Sequence, residues 1–197
     1  MSEAWRISRI TLKTAFFAGL ALVLSQGIIL FLFGQPTICE CGTVKLWEGT
    51  VLSSGNSQHL SDWYTFSHIV HGFIFFGLLA WLTPGIPMRL RLIIAIGVEA
   101  AWEVAENTPM VIQHYREQAL AQGYTGDSIL NSVMDTLWMI AGFIFARKYP
   151  WWATVIAAVV LEVFVLYMIR DNLTLNVINL IYPIQVISDW QMSGGIK

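Results

Sequence analysis

Apolar residues run along this chain in long unbroken blocks instead of alternating with polar ones, a pattern that fits helices buried on all sides and not amphipathic strands. A membrane-crossing helix needs about 20 predominantly apolar residues. Five blocks meet that length, at residues 14–34, 64–82, 92–110, 129–146 and 151–169. A sixth, 173–190, is apolar but broken by Asn176, Asn179, Pro183 and Gln185, so it can either cross or lie in the interface; crossing is the expectation. The predicted fold is an all-α, polytopic transmembrane helical bundle of five to six spans, forming one integral membrane domain over residues 1–197.

Composition turns that pattern into a class. Of 197 residues, 56% are hydrophobic and 12% charged, against roughly 25% charged in soluble domains. Mean hydropathy is +0.61, and a soluble globule is excluded. The net charge of −2 removes the broad basic surface that nucleic acid needs, so no nucleic-acid partner is expected. Two cysteines are too few for a disulfide framework.

Charge also orients the chain. Arg6, Arg9, Lys13, Arg89, Arg91, Arg147 and Lys148 flank the spans on one side, against Lys45, Arg116 and Arg170 on the other, with Lys197 left uncounted because its side depends on the sixth block. Seven against three places the N-terminus in the cytoplasm by the positive-inside rule. The first block has the charged start of a signal sequence, but its long apolar core and the lack of a small-x-small cleavage site predict an uncleaved anchor. Trp47, Trp63 and Tyr64 then belt the outer interface, and Tyr149, Trp151 and Trp152 the inner one.

Ionisable residues inside such helices are expensive, about 2.5 to 3.5 kcal/mol each at the centre, and each is a functional-site candidate. Glu99, Glu103 and Glu106 share one helical face, and His68 and His71 lie one turn apart. Asp127, Asn131 and Asp135 are spaced by four, and Glu162 stands alone. Counting about 1.5 Å per residue from the outer helix ends puts His71, Glu103, Asn131, Asp135 and Glu162 in one layer, roughly 6 to 12 Å deep. All four histidines fall in the outer half, so the candidate site faces the periplasm. Glu99, near the midplane where an ionised carboxylate costs most, ranks below Glu103 and Glu106. Cys39, Cys41, His59, Asp62 and Trp63 from the first outer loop, and His114, Tyr115, Arg116 and Tyr124 from the second, are candidate lid residues.

Two histidines at i, i+3 with carboxylates from neighbouring helices are the ingredients of a metal site in a helical bundle, suited to zinc, iron or manganese. In that reading His68, His71 and Glu103 hold the metal, while Glu103, Glu106, Asp127 and Asp135 supply the catalytic carboxylates. Arg116, Arg170 and Asn131 bind substrate, the arginines through an anionic head group. The same groups can instead shuttle protons or form an internal hydrogen-bond network, and Glu162 can simply pair with a neighbouring helix. Arg170-Asp171 can equally be an interfacial ion pair. Cys39-Glu40-Cys41-Gly42 can be a tight disulfide, a thiolate ligand pair or a free dithiol. Walker A, G-x-G-x-x-G, H-E-x-x-H and G-x-S-x-G signatures are missing, and the Asn172-Leu173-Thr174 sequon is too short to weigh.

Longer motifs carry a resemblance. They are Cys39-x-Cys41-Gly42, the run Ser57-Gln58-His59 through Asp62-Trp63-Tyr64-Thr65 to Ser67-His68 and His71-Gly72, and Glu99-Ala-Ala-Trp102-Glu103 with Glu106-Asn107. Tyr115-Arg116, Gly126-Asp127-Ser128 with Asn131-Ser132 and Asp135, and Arg170 through Asn176 complete the set. Together they resemble uncharacterised protein family 0314, also called domain of unknown function 2585, across residues 38–190. The resemblance implies a bacterial inner-membrane, multi-pass protein of alphaproteobacterial type and assigns no reaction. Gly55 departs from it, standing where an acidic residue is expected, which weakens any role for an acid at that loop position. A more distant similarity to VanZ-like membrane proteins, through the polar second helix, the Glu-bearing third and Asp127-x-x-x-Asn131, is analogy only.

Two functions from different classes follow. One is an enzyme using metal-assisted hydrolysis or group transfer on a lipid-linked substrate within the bilayer. The other is a non-enzymatic accessory or assembly subunit of a membrane protein complex, with the polar layer as glue or as a contact to a membrane protein partner or a second copy of the chain. A proton-coupled transporter fits less well, since no inverted repeat is visible.

Overall fold

The computed structural model describes residues 10–193; Arg6 and Arg9, which enter the charge asymmetry, and Lys197, which was left out of it, lie outside them. The described residues form eight helices and no strand: α1 (Leu12–Leu32), α2 (Thr65–Leu82), α3 (Met88–Glu106), α4 (Pro109–Arg116), α5 (Ile129–Lys148), α6 (Trp151–Ile169), α7 (Leu173–Ile181) and α8 (Gln185–Met192). Four of them, α1, α2, α5 and α6, are long and apolar enough to cross a membrane. A fifth, α3, matches them at 19 residues but carries Arg89, Arg91, Glu99, Glu103 and Glu106. The all-helical bundle expected from the sequence is what the chain forms.

Local chemistry sets the boundaries. Thr11 and Ser128 cap α1 and α5, each side-chain oxygen accepting from an amide three residues on. The third block differs from its expected 92–110: α3 starts at Met88 and stops at Glu106, and Met110 lies in α4. Pro109 sits at the first position of α4, where its missing N–H costs nothing, and it disfavours helical geometry at Thr108. The sixth block does not cross as one helix. Pro183 lies in the break between α7 and α8, whose 9 and 8 residues each fall far short of a span.

The tightest crossing is α2 on α5. A Cβ on Gly72 would overlap the Met139 carbonyl oxygen and sit 2.5 Å from the Phe143 amide nitrogen, and one on Gly142 would overlap the Ile69 carbonyl oxygen. The two backbones touch because neither glycine has a side chain. That contact sets the face of α2 bearing His68 and His71 against the face of α5 bearing Ser132 and Asp135. On the other side, α1 packs along α3, and Gln26 ties α1 to α5: its Nε2 donates to Ser132 O at 2.9 Å and its Oε1 accepts from Thr136 Oγ1 at 2.9 Å. Met139 and Phe143 from α5 bury against Ala95 and Ile96 from α3. Most of α6 is exposed, with Val155, Val159, Val163 and Tyr167 among its outward residues.

Residues 33–64, 107–128 and 170–193 all gather at one end of the bundle, where α1 and α3 end and α2 and α5 begin. Backbone bonds knit the first segment to the second and to the start of α5, from Ser128 N to Ser57 O, Ile129 N to Pro36 O and Leu130 N to Thr37 O. The loops therefore form a packed cap over that end.

Candidate functional site

Between the cap and the helices lies a cavity of about 1270 Å³. His68 and His71 from α2, Glu99 and Glu106 from α3, Asp127 from the cap and Asp135 from α5 line it, with Phe75, Val98, Trp102 and Leu180 as its apolar wall. Glu40 and Asp171 add two further carboxylates, and no Lys or Arg appears among the lining residues.

His68 is the hub. Its Nδ1 is 2.7 Å from Glu99 Oε1 and 3.4 Å from Glu103 Oε1, while its Nε2 is 3.8 Å from Asp135 Oδ2. His71 Nδ1 is 3.1 Å from both Glu99 oxygens. Both imidazoles therefore turn Nδ1 to one shared carboxylate, which leaves each Nε2 free for another partner. Glu99 is fully buried and takes the central place that depth alone had given to Glu103. Glu103 lies just beneath the cavity wall: its Oε2 accepts from Ser132 Oγ, but its buried Oε1 has no hydrogen-bond partner. Buried Asp135 Oδ1 is also without a partner.

Asp127 reaches the site from the cap. Its Oδ2 accepts from Asn107 Nδ2 at 2.8 Å, its Oδ1 from Tyr124 Oη at 2.8 Å, and its own N–H donates to Asn107 Oδ1 at 2.7 Å. Burial pushes its carboxyl up to about 6, against the pull of the Asn107 and Tyr124 hydrogen bonds. Gly126, at φ +96° and with Gln35 and Asn107 against its α-carbon, makes the sharp turn that delivers Asp127.

Three sets of ligand-type atoms lie within 4.8 Å of one another around this core: His68, His71 and Glu99; His68, Glu103 and Asp135; and Glu103, Glu106 and Asp127. The His and carboxylate residues picked from the sequence thus come together, and Glu99 joins them. Asp171 stands at the cavity edge, accepting from Tyr64 Oη at 3.2 Å and from Gln191 Nε2 at 3.3 Å, and burial pushes its carboxyl up to about 7.

Other expectations fall away. Asn131 holds the cap instead of facing the cavity, its Nδ2 donating to His59 O at 2.9 Å. Arg116 Nε donates to Tyr124 O at 2.6 Å, and Arg170 NH1 donates to Trp190 O at 2.7 Å while its guanidinium lies over the Trp190 ring. Each guanidinium spends one N–H on a backbone carbonyl, and neither Arg116 nor Arg170 is among the residues that line the cavity. Arg170 does not pair with Asp171 either. Glu162 lies apart from the layer and accepts from the Leu173 and Thr174 amides and from Thr174 Oγ1, capping the positive end of α7. Its interhelical reading is the one the structure favours. Cys39 and Cys41 are joined as a disulfide. Gln26, Asn107 and Ser132, which tie the site's helices and cap together, carry no sequence signal beyond being polar within or beside apolar blocks.

Comparison with known proteins places this chain in a family. The profile described as "Protein of unknown function (DUF2585)" matches residues 30–193. A UPF0314 protein of Sphingopyxis alaskensis is 53% identical over 182 residues, covering 92% of this chain and 97% of the relative. One from Rhizobium meliloti is 55% identical over 174 residues, 88% of each chain, and one from Brucella anthropi is 48% identical over 172 residues, 87% of each. No solved structure matches.

Proposed function

The chain belongs to the DUF2585 family, and from that premise we propose that it is a multi-pass protein of the bacterial inner membrane whose periplasm-facing site uses a divalent transition metal for hydrolysis or group transfer on a lipid-linked substrate. The observation that carries the reading is the pair of buried, unpartnered carboxylate oxygens, Glu103 Oε1 and Asp135 Oδ1, beside two histidines that share Glu99. A buried polar atom without a partner costs roughly 1–3 kcal/mol, and a metal ion would satisfy several at once.

His68 and His71 would bind through Nε2, with Asp135 as the carboxylate facing them and Glu99 fixing both rings, the usual carboxylate–histidine–metal order. Glu103 belongs to the same His68–Glu103–Asp135 cluster, with its Oε1 3.4 Å from His68 Nδ1 on the ring edge away from the metal-binding nitrogen. Glu106, on the cavity wall and clustered with Glu103 and Asp127, would be the carboxylate available as general base, and a bound metal would supply Lewis acidity there. Six carboxylates and no Lys or Arg line the cavity, so an anionic ester or phosphate would need the metal itself as counter-charge. The apolar wall of Phe75, Val98, Trp102 and Leu180 suits a substrate that stays attached to an acyl or prenyl tail. The basic residues flanking α1, α2 and α5 support an outward-facing site through the positive-inside rule.

The test is metal content of the detergent-purified protein by inductively coupled plasma mass spectrometry, alongside His71→Ala. Near-stoichiometric zinc, iron or manganese, lost in a variant that remains abundant in the membrane, is the expected result. A metal-free protein that stays so after reconstitution with all three ions would overturn the metal reading and leave the polar layer as glue in an accessory subunit.

A further inference from the structure

The first outer loop carries a second constellation, outside the one just described. Cys39 Sγ, Cys41 Sγ and a ring nitrogen of His59 all lie within 4.8 Å of one another. The turn from Cys39 to Gly42 brings the two sulfurs to one side: Gly42 N donates to Cys39 O at 2.9 Å, and Gly42 takes φ +73°, a conformation that favours glycine. His59 is 1% exposed. Its Nδ1 has only a long 3.4 Å contact from the Lys45 amide, and its buried Nε2 has no hydrogen-bond partner. The nearest charged oxygen, Glu48 Oε2, is 3.8 Å away from that nitrogen and is held by Lys45 Nζ at 2.6 Å.

We propose that Cys39, Cys41 and His59 form a redox-gated site for a thiophilic divalent metal ion of the zinc type, closed while the cysteines are disulfide-bonded and opened by their reduction. A dithiol reductant attacks one sulfur of the Cys39–Cys41 bond. That bond breaks, two electrons and two protons pass to the pair, and the reductant leaves as its own disulfide. Metal then displaces both thiol protons to solvent, two S–metal bonds form, and a His59 nitrogen supplies the third. Glu48 or water completes a four-coordinate shell of the kind zinc takes from two cysteines and a histidine.

The chemistry of the donor set selects the ion. Two thiolates beside an imidazole favour zinc over magnesium or calcium, which prefer oxygen. The site has a place in the architecture too. Cys39 and Cys41 line the main cavity, and the His59 carbonyl is gripped by Asn131 of α5. Metal binding would therefore fasten the 39–43 turn to the part of the cap anchored on the bundle, directly at the cavity rim.

Cobalt(II) replaces zinc in such sites and reports thiolate ligation by its sulfur-to-metal charge-transfer absorption, which the His68/His71 site cannot produce. Full-length protein in detergent, reduced anaerobically with a phosphine and then freed of it, should bind one more equivalent of cobalt than the oxidised protein. That equivalent should show the thiolate band. Cys41→Ser, at an exposed position, should abolish the band while leaving cobalt bound at His68 and His71. His59→Ala should weaken the reduced site at least tenfold. Equal cobalt uptake by oxidised and reduced protein overturns the proposal, as does an unchanged affinity in His59→Ala, or a Cys39–Cys41 pair that alkylation shows to be inert to reductant. His71→Ala should leave the thiolate band intact, so failure here and failure of the main metal reading are told apart.

Discussion

Glu99→Gln isolates the carboxylate on which both histidines rest. Glu99 Oε1 lies 2.7 Å from His68 Nδ1, and both Glu99 oxygens lie 3.1 Å from His71 Nδ1. Glutamine keeps the shape but turns one acceptor into a donor and removes the charge. One imidazole then faces an N–H and must rotate or move its own proton to Nε2, the nitrogen that is to bind metal. The loss is about one charge-assisted hydrogen bond, roughly 1.5–3 kcal/mol. At about 1.4 kcal/mol per decade this is a 10- to 100-fold weaker zinc affinity, the range typical for carboxylates that orient a ligand without touching the ion. The assay is zinc titration against a competing chelator, with His71→Ala beside it. Glu99→Gln should still reach full stoichiometry at saturating zinc, whereas His71→Ala should not. An unchanged dissociation constant would refute the orienting role, and a loss as complete as that of His71→Ala would make Glu99 a ligand itself.

Three further outcomes follow from the packing and the cap. Gly72→Ala should lower the thermal midpoint in detergent by the equivalent of about 3 kcal/mol, the upper end for overpacking, because the obstructing atoms are Met139 and Phe143 backbone, not side-chain tips; a midpoint within error of wild type would contradict the close α2–α5 contact. Gln26→Leu removes the 2.9 Å acceptor of the Thr136 hydroxyl, leaving it only the long 3.4 Å contact to Ser132 O, and removes that carbonyl's amide donor, and should cost about 1–3 kcal/mol in the same measurement. Asp171 titrates near 7 in the folded protein against about 3.9 in an unfolded chain, so the fold retains its proton longer. Stability from this group is fully present below about pH 4 and is lost as pH rises through 7, and Asp171→Asn should flatten that stretch of the midpoint-versus-pH curve.

The sequence reported heights along helices well and rotations about them poorly. Counting residues from the helix ends put His71, Glu103 and Asp135 at one level, and the structure brings all three to His68. The same counting set Glu99 aside as too deep, yet Glu99 and Glu103 are one turn apart on one face, and so are His68 and His71. Two adjacent turns of α2 therefore meet two adjacent turns of α3, and the deeper acid lands between the two rings. Glu162 shows the converse error. It sits at the expected height, but its carboxylate is turned to the α7 N-terminus, which a depth count cannot reveal.

Loops were the least legible part, because their hydrogen bonds depend on how the chain closes and not on a period. Arg116 and Arg170 have the charge for an anionic head group, but Tyr124 O and Trp190 O are their nearest acceptors once the cap has packed. Asn131 follows the same logic. Its spacing with Asp127 and Asp135 put it on the site's face, and the descending His59 carbonyl then took its amide. The sixth block was expected to cross and does not: Pro183 follows the end of α7 at Ile181, while Asn176 and Asn179 are accommodated inside that helix.

The choice between glue and chemistry turns on how this protein treats its other buried polar groups. Gln26 uses both ends of its amide to tie α1 to α5, and Asn107 uses both of its own to hold Asp127 and the end of α3. Those are networks built for structure, and they are closed. Around His68 the network stays open: Glu103 Oε1 and Asp135 Oδ1 are buried at or just beneath the cavity wall with no hydrogen-bond partner, and of the eight such buried side-chain atoms among the described residues they are the two that belong to carboxylates. A network selected only to order the bundle would gain about 1 kcal/mol for each such atom it closed, by a single nearby hydroxyl or amide. Leaving two carboxylate oxygens open beside a chamber lined by no Lys or Arg carries an energetic penalty that a bound cation, a transferred proton or an ordered water would offset, and the first two are what the proposed site supplies.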